Sequence, residues 1–180
     1  MRPIIIGIGG AHSGVGKTTV ASLILKRLKG WKGCGAIKYT KTSLYCSVVE
    51  DIKVLSEKGK DTKRLLDAGA EKVLWVQSPF SELGLVLPMA VGMLSHLKGV
   101  LVEGNSAIEI LKPDIVLFIS GAEGKIKKGA DKILRMADVV IFDKKPPQGI
   151  PKNAKRFNKD DVEGFVDFVM GLVKKCEEKR

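Results

Sequence analysis

The run Ala11-His12-Ser13-Gly14-Val15-Gly16-Lys17-Thr18 constrains this chain more than any other stretch. It follows the apolar segment Ile4-Ile5-Ile6-Gly7-Ile8 and precedes a helical pattern that reaches Leu28. A backbone that wraps phosphate oxygens has to reach dihedrals and close approaches that a Cβ forbids, and glycines at 14 and 16 permit both. Successive N–H groups then point inward as an anion nest, and the helix that starts there turns its positive dipole end on the same charge. In such a loop Lys17 sets its ammonium against the β and γ phosphates, and Thr18 gives its hydroxyl to Mg²⁺. The expected nucleotide cradle is therefore Ser13, Gly14, Val15, Gly16, Lys17, Thr18 and Thr19. Ala11 stands where the pattern has its first glycine, and Gly9 and Gly10 are expected to keep the turn before it supple. A dinucleotide fingerprint fits less well, because aligning Gly9 and Gly14 leaves Ala11 in the middle, and no acid ends the second strand.

A phosphate loop needs a carboxylate that holds the metal through water, and Val100-Leu101-Val102-Glu103-Gly104 offers one. Four apolar residues ending in an acid put that charge at the carboxyl edge of a buried strand, beside the loop. Lys60-Asp61-Thr62 opens a helix after a long connection, so Asp61 either holds a metal-bound water or caps its own helix, and Asp51 has the same two options. Lys17, Glu103 and Asp61 are the candidate catalytic residues; Thr18, Glu103 and Asp61 are the candidate metal-side groups. Lys38 and Arg64 either meet a second anionic ligand or are solvated charges. His12 is expected to face outward, and His96 to serve a helix C-terminus.

The rest of the chain alternates strands and helices, which demands a mainly parallel sheet with helices on both faces. Strands are expected over 3–9, 34–38, 72–77, 99–103, 114–119, 138–142 and 154–157, and helices over 18–28, 61–68, from Ser81 or Glu82 to Leu97, and over 132–136. A last helix is capped by Asn158 or Asp160 and carries Val162, Phe165, Val166, Val169, Leu172, Val173 and Cys176 on one stripe. Residues 39–51 lack either period and read as a long loop. With 180 residues, 44% hydrophobic, the chain suits one domain over 1–180. Apolar runs too short to span a bilayer and three widely spaced cysteines favour a cytoplasmic protein without a disulfide framework. The net charge of +11 admits nucleic acid, yet aromatics are only 6% and none interleaves the lysine clusters, so a nucleic-acid or membrane partner is not expected.

The Val-Glu-Gly strand ending, joined to an Ala/Gly-type phosphate loop, resembles the branch of P-loop proteins that holds dethiobiotin synthetase, the cobyrinic acid synthases and MobB, the B protein of molybdopterin-guanine dinucleotide synthesis. Gly59-Lys60-Asp61-Thr62-Lys63-Arg64 followed by Ala68-Gly69-Ala70 is similar to MobB segments in the same order, and the resemblance covers roughly residues 3–105. The chain departs from MobB at Lys38-Tyr39, where that family has Lys-His, and at Asn105-Ser106, where it has Phe-Lys. The resemblance implies a three-layer P-loop NTPase sandwich with a mainly parallel central sheet. It also implies Mg²⁺-dependent binding of GTP in preference to ATP, weak hydrolysis, and a molybdenum cofactor enzyme or a second copy of the chain as candidate partners. The strand ending Phe142-Asp143-Lys144-Lys145-Pro146 resembles the Asn-Lys-x-Asp ending of GTPases, with Asp143 for the Asn and Pro146 for the Asp, so Asp143 and Lys144 are the candidate base contacts. Two other functions stay open: an ATP-dependent ligase of the dethiobiotin and cobyrinic acid branch, and a nucleotide-binding module without hydrolysis.

Overall fold

The computed structural model describes residues 2–29 and 33–180. Strands buried along their whole length are covered on both faces, so they lie inside a sheet that helices cover twice over. Such strands are β1 (Ile4–Gly10), β5 (Gly99–Glu103) and β6 (Ile115–Ile119), all buried throughout. With β2 (Cys34–Lys41), β3 (Ser47–Val49), β4 (Val73–Ser78), β7 (Val139–Phe142) and β8 (Lys155–Asn158) they form one sheet in the order β3-β4-β2-β5-β1-β6-β7-β8. Every pairing is parallel except β3 with β4.

One face of the sheet packs under α1 (Lys17–Leu28), α3 (Asp61–Asp67) and α7 (Val162–Glu178), where Ile4, Ile6 and Ile8 meet Ile24, Leu65, Phe165 and Val169. The other face packs under α4 (Leu83–Met93), α5 (Asn105–Leu111) and α6 (Asp131–Arg135) through Leu83, Leu87, Ile108 and Ile133. The fold is thus the three-layer α/β arrangement expected. The stripe on α7 is inward, with Phe165, Val166, Val169 and Val173 buried. Among the described residues no helix is long and apolar enough to cross a membrane.

The glycines of β1 serve close packing, including Gly9, where a Cβ meets Ile133 Cγ2 at 2.7 Å. A Cβ on Gly7 meets Pro113 Cγ at 2.7 Å and Ile108 Cγ1 at 2.8 Å, and one on Gly10 meets Val15 Cγ1 at 2.6 Å. Their lack of a side chain lets α5 and the loop lie directly on the strand.

Several boundaries differ from the sequence reading. The long loop is shorter than expected, because β2 runs on to Lys41 and Ser47–Val49 adds an antiparallel edge strand against Trp75–Gln77. Three residues are too few to display a period. A short helix, α2 (Ile52–Leu55), follows, with Asp51 as its cap accepting from the Lys53 N–H at 2.9 Å. The helix through Pro88 stops at Met93, after a separate turn of 3-10 helix at Phe80–Glu82. Helix α5 leaves no clear mark in the sequence, since seven residues entered directly from a strand through Gly104, at φ 140°, carry barely two turns of pattern. Helix α7 is capped by Asp161, whose carboxylate accepts from the Gly164 N–H at 3.1 Å, and not by Asn158 or Asp160.

Candidate functional site

Strand β1 lies where the chain order reverses, with β5 on one side and β6 on the other, and the carboxyl ends of all three open on one edge. That edge is where open parallel sheets bind ligands. The loop from Ala11 to Gly16 leaves β1 there and enters α1. Gly14 and Gly16 have φ of 75° and 100°, and a Cβ at either would find nothing within 4 Å, so it is the left-handed backbone and not crowding that requires glycine at both. The first turn of α1 contains no acid, which leaves its positive end uncompensated.

Lys17 Nζ donates to the His12 carbonyl at 3.1 Å. Burial lowers the pKa of Lys17 below the ordinary lysine value, against the opposing pull of Glu103. Thr18 Oγ1 donates to Glu103 at 2.9 Å to Oε2, and both residues are buried, at 5% and 2% exposure. The register of β2 with β5 sets Lys38 directly beside Glu103. From there Lys38 Nζ reaches Glu103 Oε1 at 2.6 Å and Asp61 Oδ2 at 2.7 Å. Burial disfavours charge on Lys38, but Glu103 and Asp61 outweigh it and raise its pKa. Burial likewise acts to raise Asp61, and the hydrogen bond and charge of Lys38 overcome it and lower the carboxyl.

Lys38 is thus not a solvated charge: 17% of its side chain is exposed. Asp61 is not a helix cap either, because Lys60 occupies that position and the Asp61 carboxylate turns to Lys38. Arg64 donates to Thr19 Oγ1 at 2.9 Å, and His12 lies exposed with Nδ1 against the Ser13 carbonyl. Val15 packs inward against the core under α1.

The structure brings Ser13, Gly14, Gly16, Lys17, Thr18, Thr19, Asp61 and Glu103 around one cavity of about 860 Å³. Asp143 and Lys144 do not line it. The Asp143 carboxylate pairs with Lys159 Nζ at 2.8 Å, and its backbone carbonyl accepts from Asn158 at 2.6 Å.

Asn105, which in the sequence stands out only as a departure from a related pattern, pins the loop. Its Oδ1 accepts from the Gly10 N–H at 2.8 Å while its Nδ2 donates to the Gly10 carbonyl at 2.9 Å. A side chain that satisfies both polar groups of one backbone residue fixes where the loop begins. Its type and its place directly after Glu103-Gly104 are the signal that points to it.

Among the described residues no group of three His, Cys, Asp or Glu side chains converges to hold a metal by itself. A hydroxyl and one carboxylate suit an ion that brings its own waters and phosphate oxygens, which is how Mg²⁺ is bound beside nucleotides.

No family model matches the chain, and no curated protein does. Solved structures do. The hydrogenase maturation factor HypB of Archaeoglobus fulgidus superposes with TM-score 0.62 at 14% identity, covering 95% of this chain and 90% of that one. A MobB protein homolog from Bacillus stearothermophilus gives TM-score 0.54 at 18% identity, covering 95% and 98%. A molybdopterin-guanine biosynthesis protein B gives 0.51 at 18% identity, covering 95% and 99%. The fold is therefore shared with these proteins, and MobB proteins are among its structural neighbours.

Proposed function

We propose that this chain is a Mg²⁺-dependent nucleoside triphosphate-binding protein with slow hydrolysis, favouring GTP, and that it serves a molybdenum cofactor enzyme as MobB-like adaptors do. The observation that carries the nucleotide reading is the buried contact of Thr18 with Glu103 beside Lys17 and an open, positively ended loop. Lys17 and the loop N–H groups stabilise charge on the phosphates. Thr18 and Glu103 are the groups that would hold the ion, and Lys38 with Asp61 fixes the direction of the Glu103 carboxylate. Bound Mg²⁺ supplies charge neutralisation on the β and γ oxygens. Among the described residues Arg64 is the arginine that lines the cavity, and it is held by Thr19 and, at 3.7 Å, by Asp61. With its guanidinium so engaged, a slow rate without a protein partner is expected, because arginine supplied to the transferred phosphoryl group is worth roughly 10³-fold or more.

The preference for GTP rests on the likeness to MobB. With Asp143 turned to Lys159, guanine over adenine is expected to be a modest preference. Competition of GTP and ATP against one fluorescent triphosphate tests it. ATP displacing the probe at the lower concentration overturns the guanine assignment and moves the ATP-dependent ligase to first place.

Replacing Glu103 by Gln tests the metal role: binding measured with Mg²⁺ should weaken more than binding without it. Equal losses leave Glu103 a structural acid. Phosphate release that stays at the buffer background would leave a binding module without hydrolysis.

A further inference from the structure

The cavity is larger than the phosphate cradle. Its lining also includes Lys41 at the end of β2, Ser106 and Glu109 on α5, and the segment Lys127–Ala130 after β6. The charges along this lining do not balance. Every acid that lines the cavity already has a cation: Glu103 and Asp61 share Lys38, and Glu109 takes Lys132 at 3.3 Å. Lys41, Lys127 and Lys128 have no ion-pair partner among the described residues.

The two lysines after β6 are also held in place. The Lys127 N–H donates to the Ala11 carbonyl at 3.0 Å, tying this segment to the first residue of the phosphate loop. The Lys127 carbonyl accepts from the Ala130 N–H at 3.0 Å, and Gly129 turns the chain at φ 89°. Ala130 and Ile133 are then buried, at 4% and 1% exposure. A pinned turn that lifts two adjacent unpaired ammonium groups to the rim of a cavity accumulates like charge, which is unfavourable until an anion joins it. The nucleotide phosphates already have the loop N–H groups, Lys17 and the helix end.

We propose that Lys127 and Lys128 form a second subsite, for a small soluble phosphate ester that binds at the same time as the nucleotide. This rests on the nucleotide reading only for which half of the cavity is already taken. Ser106 adds a hydroxyl, and Glu109 in the same lining disfavours a ligand that is anionic along its whole length. A molecule with one anionic end and a neutral polar body fits that pattern.

Pyridoxal 5′-phosphate is a suitable probe, since its phosphate seeks the subsite and its aldehyde condenses with a neighbouring lysine, losing water to an imine that borohydride reduces. The protein is first saturated with Mg²⁺ and a non-hydrolysable triphosphate, whose binding is measured separately, and labelled lysines are mapped by mass spectrometry. Labelling of Lys127 or Lys128 is expected to exceed that of other exposed lysines, such as Lys58 and Lys174, by roughly tenfold. The double variant Lys127→Ser, Lys128→Ser should weaken the probe by roughly tenfold while leaving triphosphate affinity within about twofold. Labelling that merely follows exposure overturns the subsite. So does probe binding that the triphosphate abolishes, because these lysines then serve the nucleotide. Failure of the triphosphate itself to bind is a different result, and it sinks the phosphate-loop reading instead.

Discussion

The two walls of the cavity are built by opposite means. One is a single run of consecutive residues from Ala11 to Thr19, whose working groups are mostly backbone N–H, a glycine conformation and a helix end. The other draws Lys38, Asp61 and Glu103 from three segments, and it works through side-chain charges brought together by strand register and packing. The first wall depends on local dihedrals. The second depends on the whole sheet, so it is the one that distant substitutions disturb.

Lys38→Met should have the largest effect on stability. It removes the cation shared by two carboxylates, one of them 2% exposed, and breaking a buried pair from one side costs about 3 kcal/mol. Denaturant unfolding measures it. A loss below about 1 kcal/mol, the range of a surface ion pair, shows that this wall is not held electrostatically. Asn105→Ala joins the two walls in one test, because it strips both partners from the Gly10 backbone at the root of the loop. The expected cost is about 2 kcal/mol, with weaker nucleotide binding alongside. Nucleotide affinity unchanged in that variant shows that the loop holds its shape without the clamp.

Lys17→Ala acts on the local wall alone. Nucleotide affinity should fall by roughly tenfold or more, about 1.4 kcal/mol, with the melting temperature of the nucleotide-free protein little changed. An unaltered dissociation constant would remove the basis for a phosphate site. The smallest effect is in protons. Burial lowers Lys17 below its ordinary value near 10.5, and phosphate charge beside it raises it again, so nucleotide binding in the alkaline range below that value should take up a fraction of a proton. Calorimetry in buffers of different ionisation enthalpy reads the uptake, and proton release there contradicts the assigned contact.

The Lys38–Asp61 pair has its own pH window. Asp61 is lowered, so its contribution is present above the ordinary carboxylate value near 3.8 and is lost as pH falls through the lower folded value. Lys38 is raised, so its contribution is present below 10.5 and is lost as pH rises through the higher folded value. Between those limits this pair should leave stability flat.

The parallel pairing of the strands, the glycine loop that leaves β1 and the acid ending β5 were legible because each is written in neighbouring residues. An apolar run, a glycine spacing and a strand-end carboxylate depend on local geometry, and local geometry is what a short stretch of sequence specifies. The alternation of strands with helices carried the three-layer class for the same reason. What only the tertiary structure decided was which distant charges meet. Lys38 and Glu103 are adjacent because β2 and β5 share a register, Asp61 faces Lys38 instead of capping its helix, and Asp143 turns to Lys159 away from the cavity. A one-residue change of register puts a side chain on the other face of the sheet, and no pattern within either strand records its partner's alignment. Asn105 belongs to the same class, since its bonds to Gly10 join residues that only the β1–β5 pairing brings side by side.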